Sequence, residues 1–425
     1  MAAHFSGLPV PQGRTGFEGV HELRPGEILS IDVFGTRSLY MALPSACMDD
    51  YSDTAATVGT FRELFDQAVA SRLPLHGPTA IMLSGGMDSG PVAESAARQL
   101  RENRESLHPV SWRLPNSPEA DESYWIRTLC RHLRLQPQWI DPQYLPFGQL
   151  NGSMISPDWP SFNSFRHLVN ACYREAAESG CSVILNGNAG DNLYMPFHLL
   201  YRGYALDGDW RLIWRDLVHI FGRGGARALA SHPPLRYLLG RFRSGRRKSR
   251  MPEWLLPSAR PAWHLAHEGQ PRFDDHVLPE YAAQLLGPRM TSGRCHEQYF
   301  AGLHGIERRD PFHDENLVGF MLRAPASLSV RDGRTKWIIR EATRGRLPNA
   351  FRLKQRTGLL NSYFLAGLRA NRKAVDRLLF EESPGWQRWL RPEFVRAALA
   401  EPDKNHSVVL SRCVGYALWA KHWGL

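Results

Sequence analysis

Hydrophobic and polar positions between about residue 61 and residue 185 follow two alternating patterns. Four short, mostly apolar runs are each too short for a helix and predict strands. They are residues 80–83, 109–114, 138–140 and 182–185. The stretches between and before them repeat apolar residues every three or four positions and predict helices. These cover residues 61–73, 91–100, 121–133 and 165–179. Strands that alternate with helices predict a doubly wound parallel sheet of the α/β class, and the pattern after Asp191 predicts a mostly helical C-terminal part.

The first candidate for chemistry is the loop Ser84-Gly85-Gly86-Met87-Asp88-Ser89, between the first strand and its helix. Glycines let the backbone approach an anion closely, and the N-terminus of a helix attracts phosphate. Asp88 would repel a phosphate unless a cation lies between them, so its presence predicts Mg²⁺. An ordinary Ser/Gly turn is the alternative.

A second loop, Asn186-Gly187-Asn188-Ala189-Gly190-Asp191-Asn192, follows the strand at 182–185. Because the carboxyl ends of parallel strands share one edge of a sheet, this loop is expected beside the first. Asp191 is then a second candidate metal ligand, and Gly187 a second close approach to phosphate. Taken alone, the passage is equally compatible with a plain turn.

Composition sets limits on the kind of protein this is. An apolar share of 43% and a charged share of 22% are those of a soluble globular protein. No apolar run approaches the ~20 residues of a membrane span, and no signal pattern is present, so we expect a cytoplasmic protein without a membrane partner. Six cysteines without a C-x-x-C pair argue against a zinc site or a disulfide framework.

The net charge of +10 is concentrated in one segment. Residues 218–252 contain no acidic residue but carry nine cations. These are Arg223, Arg227, Arg236, Arg241, Arg243, Arg246, Arg247, Lys248 and Arg250. We expect an exposed loop or helix at 221–250 that can bind an acidic peptide, a precursor peptide or a partner protein. Nucleic acid is a weaker expectation, because the rest of the chain is nearly neutral.

The first loop resembles the pyrophosphate loop (PP-loop) of ATP pyrophosphatases. Three later passages, at 302–314, 334–342 and 347–358, follow both loops in the order found in the asparagine synthetase family. From about residue 55 to its end the chain is similar to the synthetase domain of that family, which includes asparagine synthetases, β-lactam and carbapenam synthetases and lasso-peptide cyclases. Members adenylate a carboxylate with ATP and let an amine displace AMP.

The resemblance implies roles for individual residues. It implies that ATP and its pyrophosphate contact the first loop, with the metal at Asp88 and Asp191. The implied nucleotide-binding set is Leu83, Ser84, Gly85, Gly86, Asp88, Ser89, Trp112 and Gly187, with the backbone at Leu83 and Trp112 near adenine. Glu307, in a passage resembling Val-Glu-x-Arg-x-Pro-Phe-x-Asp, is expected as the base for the amine, and Lys354 as the cation for phosphate and acyl oxygens.

Each of these assignments has a plain structural alternative. Glu307 has Arg308 and Arg309 as possible ion-pair partners, and Lys354 stands among arginines that suggest a solvated basic face. Lys336 and Arg340 lie four apart on a predicted helix. Lys336 is a candidate phosphate ligand, but pairing of these two cations with Glu341 or Asp332 is an equal alternative.

Two departures from the family shape the functional hypothesis. Residues 1–55 resemble the last strands of a glutamine amidotransferase domain, but position 2 is Ala rather than the nucleophilic Cys. We therefore predict a truncated remnant at 1–55 and an ATP-dependent synthetase domain at 56–425. The Gly-Asp-Asn ending of the second loop is more similar to lasso-peptide cyclases. The hypothesis is an AMP-forming amide ligase that makes a macrolactam in a peptide from a carboxylate and an amine. Alternatives are asparagine synthesis from ammonia or with a separate glutaminase, a PP-loop tRNA-modifying enzyme, and an inactive binding partner.

Overall fold

The computed structural model is organised around a parallel sheet of five strands, which in sheet order are β5 (Gln138–Ile140), β4 (Leu107–Trp112), β3 (Thr79–Met82), β6 (Val183–Leu185) and β7 (Glu307–Arg309). It describes residues 1, 4–5, 13–23, 26–40, 51–244, 251–261, 263–264, 279–286, 296–354, 358, 360–403 and 406–425. The strands are β1 Glu27–Asp32, β2 Gly35–Tyr40, β3 Thr79–Met82, β4 Leu107–Trp112, β5 Gln138–Ile140, β6 Val183–Leu185, β7 Glu307–Arg309, β8 Val330–Arg331 and β9 Arg334–Thr335.

Helices connect the strands of the sheet and make up most of the C-terminal part. The first group is α1 Thr54–Ala70, α2 Ser89–Glu102, α3 Ser123–Leu133, α4 Arg166–Glu178, α5 Gly190–Leu193, α6 Leu200–Leu206, α7 Trp210–Ser231, α8 Pro233–Ser244 and α9 Pro279–Leu286. The second is α10 Glu315–Arg323, α11 Ala326–Ser329, α12 Trp337–Ala342, α13 Asn349–Arg352, α14 Asn361–Ala370, α15 Arg372–Arg377, α16 Pro392–Ala400 and α17 Ser407–Trp423. Residues 296–302 are also helical.

Both faces of the sheet are covered, as a doubly wound fold requires. Successive strand residues point to opposite faces. Ile81 and Leu185 therefore pack with α1, α2 and α3 in one core, whereas Ala80 and Ile184 pack with α4 in another. The α/β class and the doubly wound parallel sheet predicted from the sequence are confirmed. A separate apolar cluster around Trp386 joins α14, α16 and α17, so the predicted helical C-terminal part is also present.

Strand β7 is the part of the sheet that the sequence pattern does not predict. Its residues Glu307, Arg308 and Arg309 are all charged, so no apolar run marks them as a strand. They pair in parallel with β6, with Arg308 opposite Ile184 and Arg309 opposite Leu185. The β8–β9 hairpin is a second β element in the region expected to be helical, and it leads directly into Lys336 and α12.

The N-terminal region contains the two-stranded antiparallel hairpin of β1 and β2. Most of its side chains are exposed, including those of Val33 and Phe34 at the turn. A short β element is therefore present where the remnant was predicted. The division into 1–55 and 56–425 stays a prediction.

The basic segment is helical as far as Ser244, because α7 and α8 extend through it. Non-helical backbone at Gly224 and Gly225 kinks α7. Arg227 and Arg236 are exposed, in agreement with the expected solvent-facing segment. The cations from Arg246 to Arg250 lie outside the described residues. Within the described part of the chain, the structure contains no helix that is both long and apolar enough to cross a bilayer.

Candidate active site

A cleft of about 740 Å³ opens where β3, β4 and β6 end. This is the edge of a parallel sheet at which ligands of such folds bind. Both loops predicted from the sequence line it, together with Lys336, which directly follows β9, Glu122, which precedes α3, and Ile126 of α3. The predicted residues on its wall are Leu83, Ser84, Gly86, Asp88, Ser89, Trp112, Gly187, Asp191 and Lys336.

The first loop turns tightly around its two serines. The Oγ atoms of Ser84 and Ser89 are 3.0 Å apart, and the backbone N–H of Ser84 donates to Ser89 Oγ at 3.1 Å. Gly85 has a φ of +72°, a conformation that favours glycine. The N–H of Gly90 donates to the carbonyl of Gly86 at 3.1 Å, so α2 starts directly at the loop. This arrangement turns the N-terminal end of α2 toward the cleft, where it favours an anion.

The two loops touch through glycines of the second loop. A Cβ at Gly187 would lie 2.5 Å from the backbone nitrogen of Ser89, and a Cβ at Gly190 would overlap Oδ1 of Asp88. Neither position tolerates a side chain unless the loops separate. Gly187, which the sequence analysis assigned to phosphate approach, and Gly190 therefore also allow the two loops, with Asp88 and Asp191, to lie close together.

Lys336 links the two predicted metal ligands. Its Nζ lies 2.5 Å from Oδ2 of Asp88 and 2.6 Å from Oδ1 of Asp191. Burial raises the pKa of the Asp88 carboxyl, and the Lys336 ammonium opposes this shift. Asp332 and Glu341, the alternative partners considered for Lys336 and Arg340, instead pair with Arg215 and with Arg344 and Arg352. The structure therefore places Lys336 in the cleft.

The two carboxylates can be tested as a magnesium site. Among the described residues, no group of three or more His, Cys, Asp or Glu side chains converges on one point. Mg²⁺ in phosphate-handling sites commonly takes only one or two carboxylates, with phosphate oxygens and waters as its remaining ligands. Asp88 and Asp191 already share one cation, the Lys336 ammonium. Their donor chemistry therefore fits Mg²⁺ bound together with a nucleotide.

Lys354 contacts the backbone of the first loop. Its Nζ donates to the carbonyl of Gly85 at 2.5 Å and to Oε2 of Glu122 at 2.8 Å. The side chain is 3% exposed, so the alternative of a solvated basic face does not hold. Burial lowers the pKa of Lys354, and the Glu122 carboxylate opposes this shift. Glu122 also accepts a hydrogen bond from the backbone N–H of Gly358.

Glu122 is a site residue that sequence reasoning missed. It stands just before α3. The local feature that could have marked it as a site residue is its position as an acidic residue after the carboxyl end of β4. Arg340 supports the same region, because its guanidinium donates to the backbone carbonyls of Thr335, Arg352 and Lys354. Arg340 thus fixes the segment that carries Lys354.

The structure places Glu307, the residue predicted as the base for the amine, away from the cleft wall. Glu307 is the first residue of β7 and pairs with Val183, the first residue of β6. It therefore lies at the amino end of the sheet, whereas the cleft is at the carboxyl end. Its side chain is 54% exposed and pairs with Arg309 at 2.6 Å. This is the structural alternative considered for it, and the reason is the register of β7, which no local pattern reveals.

The next residue, Arg308, is the one that faces the cleft. It lies on the wall with Asn186, Glu297 and His313. Its Nη2 is 3.0 Å from Oδ1 of Asp310. Burial by itself would raise the pKa of Asp310, but the hydrogen bond with His313 and the charge of Arg308 outweigh it and hold the pKa below its usual value.

A second buried ion pair includes Glu297 of this wall. Arg166 is fully buried and contacts Glu297 through two hydrogen bonds of 2.9 and 2.7 Å. Tyr173 donates a further hydrogen bond to Glu297 at 3.0 Å. The sequence analysis singled out neither Arg166 nor Glu297, since the two are 131 residues apart and only the fold brings them together.

The adenine contacts stay predictions. The N–H of Leu83 donates to Val110 at 3.0 Å, and its carbonyl accepts from Ser111 Oγ at 2.8 Å. The backbone N–H of Leu83 is thus already engaged in the sheet, while the carbonyl keeps a second lone pair. Trp112 is half-buried on the cleft wall, where its ring offers a surface for a base.

Comparison with known proteins places this cleft in context. The profile described as asparagine synthase matches residues 60–423. A carboxyethyl-arginine β-lactam synthase from Streptomyces clavuligerus is 24% identical over 82% of this chain and 54% of its own length. A glutamine-hydrolysing asparagine synthetase from Bacillus subtilis is 21% identical over 78% of this chain and 53% of its own length.

Two further matches are to proteins with other names, an amidase and a tRNA thiolase. An amidase, chry2, from Gibberella zeae is 23% identical over 78% of this chain and 56% of its own length. The chain thus spans about half the length of these curated relatives. A U34-tRNA thiolase structure from Methanococcus maripaludis covers 55% of this chain and 79% of its own, with 14% identity and a TM-score of 0.26, which is too low to inform on function.

Proposed function

Because the chain belongs to the asparagine synthase family, we propose that it is an ATP-dependent ligase that activates a carboxylate as an acyl-adenylate and converts it into an amide. The observation that carries this proposal is the convergence of Asp88, Asp191 and Lys336 on one point beside the first loop. Two carboxylates and a lysine beside a helix N-terminus suit a bound pyrophosphate and its cation.

The physical problem in this reaction is electrostatic. A carboxylate must attack the α-phosphate of ATP, so two anions meet, and cations fixed nearby lower the barrier. Lys336 lies in the cleft, and Lys354 lies against the backbone of Gly85. Magnesium held by Asp88 and Asp191 would neutralise charge on the pyrophosphate that leaves.

We propose further that the amide is intramolecular, a macrolactam closed within a peptide. The β-lactam synthase among the relatives supports this, since a lactam is itself an amide formed within one molecule. An amine on the same molecule as the acyl group has an effective concentration that a diffusing amine cannot match. The exposed cations of α7 and α8, such as Arg227 and Arg236, are the proposed docking surface for an acidic part of the peptide.

Asparagine formation from aspartate is the second candidate, and the Bacillus subtilis relative favours it. In that case the nitrogen comes from ammonia or from a separate glutaminase. The two candidates share the activation step and differ in the acyl donor and in the amine.

One experiment tests the shared step and separates the candidates. The purified chain is incubated with ATP and Mg²⁺, together with either L-aspartate and ammonium or a peptide that bears an Asp or Glu side chain and a free N-terminal amine. We expect AMP and pyrophosphate, with peptide mass falling by one water if a macrolactam forms. Conversion of ATP to ADP, or no nucleotide turnover with any donor, would overturn the proposed function.

A further inference from the structure

Helix α7 carries a row of exposed apolar side chains along one side. The row, which we call the outer stripe, consists of Trp210, Trp214, Val218 and Phe221, and each of them is more than half exposed in the described part of the chain. Successive members are four, four and three residues apart, so they are neighbours on the helix surface. Single exposed apolar residues are common on proteins, but a contiguous row of them marks an interaction surface.

The outer stripe is not the side by which α7 packs on the protein. Leu212, Ile213 and Leu217 are partly buried and pack against the main apolar core. A helix on a protein surface needs one apolar side for this packing, and its remaining surface is usually polar. Packing on the core therefore accounts for the inner residues of α7, but it gives no reason for the two tryptophans and the phenylalanine that face outward.

The surroundings of the outer stripe are strongly cationic. Arg211 and Arg215 are both exposed, and each lies three residues before a member of the stripe, so both flank it. Asp216 is the one acidic residue in the sequence of α7, and residues 218–252 contain none. Two copies of the chain that met through this surface would bring like charges together, whereas an acidic partner is complementary to it.

An ion pair connects this surface to the cleft. Nη2 of Arg215 lies 2.7 Å from Oδ1 of Asp332, in the turn between β8 and β9. Lys336, which binds both aspartates of the cleft, follows β9 and is four residues from Asp332. Four residues of chain span at most about 14 Å. A ligand in the cleft that extends past this hairpin can therefore contact α7 as well, which favours the substrate as the partner of the stripe.

We propose that the outer stripe binds a segment of the peptide substrate that lies outside its reacting groups and in which apolar residues alternate with Asp or Glu. This inference rests on the proposed function and adds a recognition segment to its substrate. From Trp210 to Phe221 the helix rises about 16 Å, the length of about five residues of extended chain. Tryptophan and arginine are also the residues that most often dominate the energy of an interface.

The test measures binding of three matched peptides by fluorescence anisotropy, without ATP. All share a free N-terminal amine and a Glu side chain, followed by a short C-terminal extension. The first extension alternates Phe or Leu with Glu, the second has Gln in place of its Glu, and the third has Ser in place of its Phe and Leu. We expect the first peptide to have a Kd at least about 10-fold below the other two, and to bind more weakly as salt is raised. Equal Kd values for the three would overturn the proposal.

Variants assign the binding to α7. Trp214→Ser and Phe221→Ser change exposed side chains, so each should fold normally and raise the Kd of the first peptide about 10-fold. Arg211→Gln should reduce the preference for the first peptide over the second. Leu75→Ser is the matched control, because Leu75 is an exposed apolar residue just before β3, at the amino end of the sheet. Unchanged binding in both Trp214→Ser and Phe221→Ser would contradict the proposal.

Two further measurements separate other partners and the ligase function itself. Co-sedimentation with phosphatidylglycerol vesicles, or a dimer, that is lost in Trp214→Ser while the peptide Kd is unchanged would overturn the proposal in favour of a membrane surface or a second copy. Peptide preference retained without any ATP turnover would overturn the proposed function and leave the peptide-binding surface in place. Turnover without peptide preference would overturn this inference alone.

Discussion

The ammonium group of Lys336 lies 2.5 Å from Oδ2 of Asp88, although the two residues are 248 positions apart in the sequence. Lys336 also contacts Asp191, so one lysine pairs with both predicted metal ligands. Asp88 is largely desolvated, and an anion there needs a cation close by. In the presence of magnesium and pyrophosphate, the ammonium has phosphate oxygens as alternative partners. The following predictions start from this pair.

Asp88 and Asp191 should each be required for ATP–pyrophosphate exchange. Replacing either by Asn removes a carboxylate that converges on the same cation, and we expect at least about 100-fold slower exchange, or about 2.7 kcal/mol of barrier. Asp141→Asn is the control, since Asp141 is exposed and pairs with Arg113 outside this cleft. Near-normal exchange by Asp191→Asn would remove Asp191 from the metal site.

Lys336→Met should change metal binding in the absence of nucleotide. Without the ammonium, Asp88 and Asp191 repel each other, and a divalent cation relieves that repulsion. We expect Mg²⁺ to raise the Tm of Lys336→Met by more than it raises that of the parent chain, while exchange slows. The triple variant with Asp88→Asn and Asp191→Asn should lose the Mg²⁺ response. A Tm shift equal to that of the parent would show that the carboxylates do not bind the metal.

Glu307→Gln should leave activity nearly unchanged. Glu307 lies at the amino end of β7, and an exposed ion pair such as that with Arg309 contributes only about 0–1 kcal/mol to stability. We expect exchange and amide formation within about twofold of the parent, since a surface change of this size is small. Retained exchange with loss of amide formation would instead restore Glu307 as the base for the amine.

Replacing Glu122 as well as Lys354 should restore stability that is lost when Lys354 alone is replaced, but it should not restore activity. Lys354→Met leaves Glu122 without its cation in a largely buried position, which costs about 3–5 kcal/mol when a buried pair is broken. Adding Glu122→Gln should recover much of the melting temperature, because neither charge is then unpaired. Exchange should stay low in both variants if Lys354 acts on the phosphates. Recovery of exchange together with stability would reduce Lys354 to a structural role.

Acidification should destabilise the chain through His296. Desolvation by burial lowers its pKa to about 4, with a further contribution from the charge of Arg166. Between pH 6.5 and 4 the unfolded chain therefore binds a proton that the folded chain does not, and stability falls as the pH falls. Between pH 6.5 and pH 5 the loss in the free energy of unfolding that we attribute to His296 is about 2 kcal/mol. Urea unfolding at the two pH values should show a smaller loss for His296→Gln. Equal losses would mean that His296 does not contribute.

Local patterns in the sequence determined the frame of this protein. The predicted strands are short, mostly apolar runs that alternate with helices carrying apolar residues on one side, so the doubly wound sheet follows from local signals. The two Gly/Asp loops follow strands 3 and 6 of the structure, and parallel strands bring such loops to one edge. The sequence alone therefore predicted that Asp88, Asp191 and Gly187 lie close together, as they do in the structure.

Tertiary structure alone decided which residues of the later passages face the cleft. Strand β7 consists of charged residues, so nothing local shows that it pairs with β6. Because strand side chains alternate, that register turns Arg308 inward and Glu307 outward, and a shift of one residue would reverse them. The pairing of Lys354 with Glu122 likewise spans 232 residues and depends on where two separate segments pack. A linear sequence carries residue chemistry and local periodicity, but strand register and long-range packing arise only when distant parts of the chain fold against each other.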